Sequence, residues 1–474
     1  MTPALTALIL GCCLLSSAAF GQNGRLRTHF DLEQCWVFGA LYFGCLGTLL
    51  PLAVPSLGTV GTVLRLGPVA VASLLLLLRT IRQGSRLSAA GGMMLALFAG
   101  LFAFGLANGE PLMTLASFIV FLPMIVSPVS RYSGASLRRG ALTAVGLFGV
   151  TILLSALVFH QEVLGACRGD KCSLWGEALG PLGTGNALGV CLASVSLVAL
   201  ALMTSFWRWV GCALGGVMLV DLTSSRSALI SWAAGALIVG IYSVGSWRRR
   251  TRSSPVDRLP RSQNILRGEG ITKPRHMLGL LVFGMSLTVL VLPFLDLPSQ
   301  SFTGRGNLWN YGADELFPRS WLFGYGSSFW VRQSLTSDLQ ANYSTHNAAL
   351  EMLISGGVWG LSCLVLAVIL TLRGVKDERT RGLTLAFLGT WIATGLTEVA
   401  SLPGRIYLLP GLLVFVFLYG HSQSTVERVV VEDGPGRQLR SRGVERATPD
   451  HAPSPIVNAR EIPVETPPRE SEAN

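Results

Sequence analysis

Three side chains stand where an apolar chain has little ordinary use for them. Arg226 lies in a short turn between two apolar runs, Arg305 opens a long polar connector, and His346 stands where that connector meets the next apolar run. Arginine presents a fork of donors that grips phosphate or carboxylate oxygens, and it stays charged in a low-dielectric setting. An imidazole, with an ordinary pKa of about 6.5, can take a proton at neutral pH. Together these residue types suit anion binding beside proton transfer. Each also has a plainer reading: Arg226 can snorkel to headgroups or pair with Asp221, Arg305 can form a surface ion pair with Asp314 or Glu315, and His346 can be a polar helix-start residue. Weaker candidates are Arg65, near one end of an apolar run, and Glu398 and Arg405, which flank the turn between the last two runs. Glu398 could orient a base, but pairing with Arg405 is the preferred reading. His160 is read as structural.

The elements that must position these groups follow from composition. Of 474 residues, 50% are hydrophobic and 13% charged, against about 25% charged in an ordinary soluble domain. Mean hydropathy is +0.52. A cytosolic α/β enzyme is excluded for the bulk, and disorder for all but the C-terminal end. The expected fold is all-α, a polytopic transmembrane helix bundle. Apolar runs cover 35–52, 57–78, 88–107, 110–127, 138–159, 185–205, 207–222, 227–246, 277–296, 346–372, 382–400 and 405–420, about twelve spans of membrane length.

The net charge of +11 sits between these runs rather than on a nucleic-acid face; from Trp247 to His276, nine Arg and Lys residues oppose Asp257 and Glu269. The positive-inside rule puts that connector in the cytoplasm. It puts Arg79, Arg82, Arg86, Arg131, Arg138, Arg139 and the 373–381 connector there too. Residues 3–20 end in Ser-Ala-Ala-Phe-Gly, lack a basic leader and precede Arg25 and Arg27, so a further helix is expected rather than a signal peptide. Three regions result: an N-terminal apolar segment and basic connector over 1–34, a transmembrane domain over 35–420, and a disordered cytoplasmic tail over 421–474.

The same orientation sends 160–184 and 297–345 outside. In the first, Cys167 and Cys172 are spaced for a small disulfide in an oxidising compartment. The second has zero net charge and ten aromatic residues, including Trp309 and Tyr325, which argues for an ordered loop. A short amphipathic helix on the membrane surface is expected over Asn310 to Phe317, stopped by Pro318.

Within this frame a set of motifs resembles the O-antigen ligase and polymerase family. They are Phe302-Thr303-Gly304-Arg305 leading to Leu308-Trp309, then Trp321-Leu322-Phe323-Gly324-Tyr325-Gly326, Thr345-His346-Asn347-Ala348-Ala349-Leu350-Glu351 and Gly356-Gly357-Val358-Trp359-Gly360. Upstream, Thr223-Ser224-Ser225-Arg226-Ser227-Ala228-Leu229 is similar to that family's Ser-Arg-Gly-Ala segment, with Ser227 in place of the usual glycine. Gly183-Thr184-Gly185-Asn186 resembles the lead into an earlier span. The likeness covers roughly 180–365 and the multi-span layout.

The resemblance implies a glycosyltransferase of the bacterial cytoplasmic (inner) membrane, multi-pass and active on its extracytoplasmic face. It would move a glycan from a polyprenyl diphosphate carrier to an acceptor hydroxyl on a lipid, glycan or protein, with no cofactor and no metal. Membrane lipids would be partners and nucleic acid would not. Arg226, Arg305 and His346 would be catalytic, with the arginines binding diphosphate and His346 acting as base. Asn347, Trp309, Arg319, Glu398, Arg405 and Arg65 would help bind substrate. The competing class is a transporter or channel lined by Arg65, Arg226, Glu398 and Arg405, although no interrupted helix pair or inverted repeat is apparent. The glycines of Gly180 to Gly189 are no dinucleotide loop, since a membrane run follows them.

Overall fold

A computed structural model of the chain describes residues 2–23, 31–84, 87–109, 112–125, 132–159, 163–167, 172–179, 185–252, 273–299, 301–327, 329–330, 344–375, 378–404 and 409–420. In order, its elements are α1 (Pro3–Asn23), α2 (Leu32–Ala53), α3 (Gly58–Arg82), α4 (Ala89–Ala107), α5 (Leu112–Ile125), α6 (Gly134–Val158), β1 (Leu164–Gly165) and β2 (Ala178–Leu179). Then come α7 (Gly185–Leu202), α8 (Phe206–Leu222), α9 (Arg226–Arg252), α10 (Lys273–Val291), α11 (Ser301–Asn310), α12 (Ala348–Gly374), α13 (Glu378–Gly395) and α14 (Leu412–Gly420). The predicted tail over 421–474 lies outside the described residues.

Among the described residues, nine helices are long and apolar enough to cross a membrane: α1, α2, α3, α4, α6, α7, α9, α10 and α12. An all-helical bundle of this kind is what a multi-pass membrane protein requires, because only a helix or a closed barrel satisfies its backbone in lipid. The runs at 110–127, 207–222, 382–400 and 405–420 instead give helices that are shorter or carry more charge. In α13 the helix starts on a polar Glu378-to-Arg381 turn and stops at Gly395, which frees Thr397 and Glu398 from helical geometry. The N-terminal run forms α1, which packs closely into the bundle. Gly11 meets Leu219 and the Gly215 backbone of α8, and Gly149 of α6 meets Ser16. Small residues at such crossings let backbones approach where no hydrophobic drive separates helix from lipid. Helix α7 is buried along nearly its whole length, whereas α10 turns most of its surface outward.

Hydrogen bonds between helix ends sort those ends into two sets. At one end Asn23 donates to Thr143 (2.9 Å), the Thr204 N–H donates to Gln22 (3.0 Å), Arg79 pairs with Glu33 (2.8 Å) and Trp247 donates to the Thr204 carbonyl (3.2 Å). Arg138, which donates to the Leu202 carbonyl (3.3 Å), and Arg82, in the same last helical turn as Arg79, belong to this end. At the other, Thr2 donates to Glu177 (3.2 Å), the Leu174 N–H donates to Asp221 (3.0 Å), and Arg305 reaches Thr397 and Glu398. The small β1–β2 hairpin is also here, with the Cys167–Cys172 disulfide inside it.

The helix in the 297–345 connector differs from expectation. It starts at Ser301, passes through a π-helical stretch at Tyr311–Leu316 and ends with the turn Phe317–Arg319, so Pro318 lies inside its last turn. Proline is tolerated there because it follows the π segment as an early position of a new turn, where a missing N–H is harmless. The helix packs on protein: Leu308, Trp309, Leu316, Phe329 and Trp330 form one buried cluster with Leu350 and Ile354 of α12.

Helix α12 is itself broken. Gly357 has φ 62° and ψ −165°, a conformation that glycine reaches without a Cβ penalty. The backbone groups freed by the break are taken up by the 321–326 segment. Val358 and Trp359 N–H donate to the Trp321 and Leu322 carbonyls (2.8 and 3.1 Å), while Tyr325 and Gly326 N–H donate to those of Ile354 and Ser355 (2.8 and 2.9 Å). A Cβ on Gly324, at φ 73°, would lie 2.5 Å from the Ser355 carbonyl carbon. The two glycine-rich motifs of the sequence are therefore halves of one joint. Gly357→Ala would force a Cβ against the Leu322 carbonyl and a side chain into a strained backbone region, worth about 1–3 kcal/mol before the collision. A clearly lowered melting temperature of the detergent-purified protein is expected, with inserted helix content retained. An unchanged melting temperature would contradict the joint.

Candidate functional site

The site is built where α12 begins. Asn347 is its N-cap, with φ −140° and ψ 122°; its Oδ1 accepts the Ala349 and Leu350 N–H groups at 3.0 Å each. Two of the helix's four orphan donors are satisfied in this way. The Asn347 Nδ2 donates to the Val289 carbonyl of α10 at 3.0 Å, fixing the helix start to its neighbour. Glu351, in the first turn where a negative charge suits the helix dipole, reaches back to accept the Thr345 N–H (3.0 Å) and hydroxyl (3.1 Å). From α11, the Trp309 indole N–H donates to the Thr345 carbonyl at 2.7 Å.

These clamps hold His346 at φ 54°, in the left-handed region that non-glycine residues rarely occupy. Such strain persists only when the surroundings over-determine it. The imidazole is buried, with Nδ1 2.6 Å from Glu398 Oε2. Its Nε2 is also buried and has no hydrogen-bond partner among the described residues. The other Glu398 oxygen, Oε1, takes Nη2 of Arg305 at 2.5 Å, and Arg305 Nη1 donates to the Thr397 carbonyl at 2.5 Å. The side chains of Arg305 and Glu398 are only 8% and 3% exposed. That matters because breaking a buried ion pair leaves a charge that water cannot solvate.

Arg226 joins this cluster through its neighbours. The Thr397 hydroxyl donates to the Ser227 carbonyl (3.4 Å) and contacts Ser231 Oγ (2.8 Å), while Ser225 Oγ donates to Asn186 Oδ1 (3.1 Å). The turn carrying Arg226 is thus one residue away, by hydrogen bonds, from the carbonyl that holds Arg305. Arg226 itself is exposed at the first position of α9. Ser224, two residues before it, sits at φ 55°.

Several local readings change. Arg305 pairs with Glu398 rather than with Asp314 or Glu315; Glu315 is taken by Arg319 (2.7 Å), one turn along the same helix. That Arg319 pair is exposed, 71% and 52% by side chain, and is a solvated surface contact away from the buried carboxylate. Glu398 engages Arg305 and His346, the second being the contact expected of a group that orients a base; the expected pairing with Arg405 lies outside the described residues. Trp309 and Asn347 are buried; the Trp309 indole donates to the Thr345 carbonyl beside His346, and the Asn347 amide to the Val289 carbonyl of α10. Arg65 lies two turns into α3, where that helix crosses Gly47 of α2. The sequence reading missed the parts played by Thr345, Glu351, Thr397 and Ser231. The one available signal was the polar run Ser344 to Asn347 followed by Glu351 at the start of an apolar helix.

The arrangement offers a buried cation, a carboxylate and an imidazole with one open nitrogen. Among the described residues, no three His, Cys, Asp or Glu side chains gather closely enough to hold a metal ion. Compared with known proteins, the chain matches no family model and no curated protein sequence.

Proposed function

We propose that this chain is a membrane glycosyltransferase of the O-antigen ligase and polymerase type, taking a glycan from a polyprenyl diphosphate carrier. The observation that carries the reading is the meeting of Arg305 and His346, forty-one positions apart, on the single buried carboxylate of Glu398. The sugar's bond to diphosphate is already activated. The protein must supply alignment, a cation for the departing diphosphate and a base for the acceptor hydroxyl. Arg226, exposed beside the cluster, and Arg305 within it would serve the diphosphate; His346 Nε2 would take the hydroxyl proton.

Orientation supports the same reading. Arg79 and Arg138, which flank basic connectors, fall at the end of the bundle opposite to this cluster, which suits a cytoplasmic location for them and an outer one for the site. The Cys167–Cys172 disulfide sits at the site's end, as an oxidising compartment allows. With α5, α8, α13 and α14 counted as further crossings, this is a bundle of about twelve spans plus α1.

Purified protein in liposomes, given a polyprenyl diphosphate-linked glycan and a candidate acceptor, is the test. Glycan covalently attached to the acceptor, with polyprenyl diphosphate released, is the expected result. Donor moved unchanged between leaflets would identify a transporter instead.

A further inference from the structure

We propose that Glu398 is a positioning residue that fixes the His346 imidazole as its Nδ1–H tautomer, so that the open nitrogen, Nε2, carries the lone pair. The assignment of Nε2 as base rests on the transferase reading; the tautomer does not.

An ionised carboxylate can only accept hydrogen bonds. Glu398 sets its Oε1 against Arg305 Nη2 at 2.5 Å, a guanidinium that does not give up its charge. Its second oxygen lies 2.6 Å from His346 Nδ1, so the proton of that short contact belongs to Nδ1. In a neutral imidazole the other nitrogen is then a bare acceptor. Nε2 is buried without a partner among the described residues, as a lone pair kept for an incoming hydroxyl would be. Among the described residues, the other charged groups of these elements are placed elsewhere. Glu351 of α12 is engaged by Thr345, Arg305 of α11 faces the carboxylate, and Arg226 of α9 lies on the exposed turn. The left-handed backbone at His346 and the Trp309 bond to Thr345 fix the ring's direction from the main-chain side.

In the transfer step, the acceptor oxygen bonds to the anomeric carbon and its proton passes to Nε2. The bond from that carbon to the diphosphate oxygen breaks, and its electron pair leaves with the diphosphate. Glu398 faces the imidazolium that forms and offsets its charge, in the way an acidic partner serves a catalytic histidine. A glutamine there keeps the shape but can present an N–H to Nδ1, which would move the ring proton to Nε2 and occupy the base.

Nitrogen NMR of the full-length chain in lipid, labelled at histidine, reads the tautomer directly. The His346 signal is identified as the one lost in His346→Asn. A protonated Nδ1 and bare Nε2 are expected above neutral pH. In the transfer assay, Glu398→Gln should lower kcat by about 10²-fold or more with a much smaller change in the donor KM. Glu398→Asp should recover part of the rate. An Nε2-protonated ring in the wild type overturns the proposal, as does a Gln variant within a few-fold of wild-type kcat. If Glu398→Gln fails to fold, the wild-type tautomer decides. A wild type that folds but transfers nothing defeats the transferase reading, and the NMR result still stands or falls alone.

Discussion

Alanine at His346 is expected to lower glycan transfer at least about 10²-fold, the usual contribution of a general base, while the protein inserts and stays folded. The two effects separate because the imidazole is not what holds its own loop. Trp309 grips the Thr345 carbonyl, Asn347 caps α12, and Glu351 takes Thr345 from the other side. All three sets of bonds survive the truncation. So does the Arg305–Glu398 pair, and the buried carboxylate is never left without a cation. Alanine also inherits the positive φ of 54° at a strain similar to histidine's, so stability should change little. Turnover and melting temperature of the purified variant are the measurements. Turnover within about threefold of wild type would remove His346 from the chemistry, and a collapsed melting temperature would mean that the ring is structural.

What was legible in the sequence was whatever depends on local composition. Long apolar runs announced most of the helices, because a backbone in lipid must be helical along its whole crossing. The separation of basic connectors from the Arg305 and His346 end was legible for the same reason, since it is written in which residues lie between runs. The helix around Trp309 was harder. Its start at Ser301 has no apolar periodicity, and it is held by packing on α12; only the second half looked amphipathic.

Partner choice was not legible. Glu398 lies seven positions from Arg405 and ninety-three from Arg305, so proximity along the chain pointed to Arg405 and gave no hint of Arg305, because packing distance is invisible there. Arg319 shows the converse. Its spacing from Glu315 is one helical turn, the pair forms as that spacing allows, and a surface pair of this kind is worth only about 0.3–0.5 kcal/mol. The glycine motifs at 321–326 and 356–360 were visible as patterns. Their purpose, one backbone donating across to the other, appears only when both are seen together.

Arg305→Ala should abolish transfer and, unlike the His346 variant, should also destabilise the protein. Removing the guanidinium leaves Glu398, 3% exposed by side chain, with an imidazole as its remaining bonded partner, and stripping one member from a buried pair commonly costs about 3–5 kcal/mol. The natural relief is a second proton taken up by the Glu398–His346 pair, which would place a proton on Nε2 and block the base in the same stroke. Lysine should not rescue the variant. A point ammonium on a flexible stem cannot donate simultaneously to the Thr397 carbonyl and to Glu398 Oε1 in the forked geometry that Arg305 uses. The stability loss can be separated from the chemical one by removing both charges. Arg305→Met combined with Glu398→Leu should recover much of the melting temperature lost in Arg305→Ala, since two apolar side chains need no counterion, yet it should recover no transfer. If the double variant regained activity along with stability, the guanidinium would have been serving the fold alone, and the diphosphate would have to be bound elsewhere.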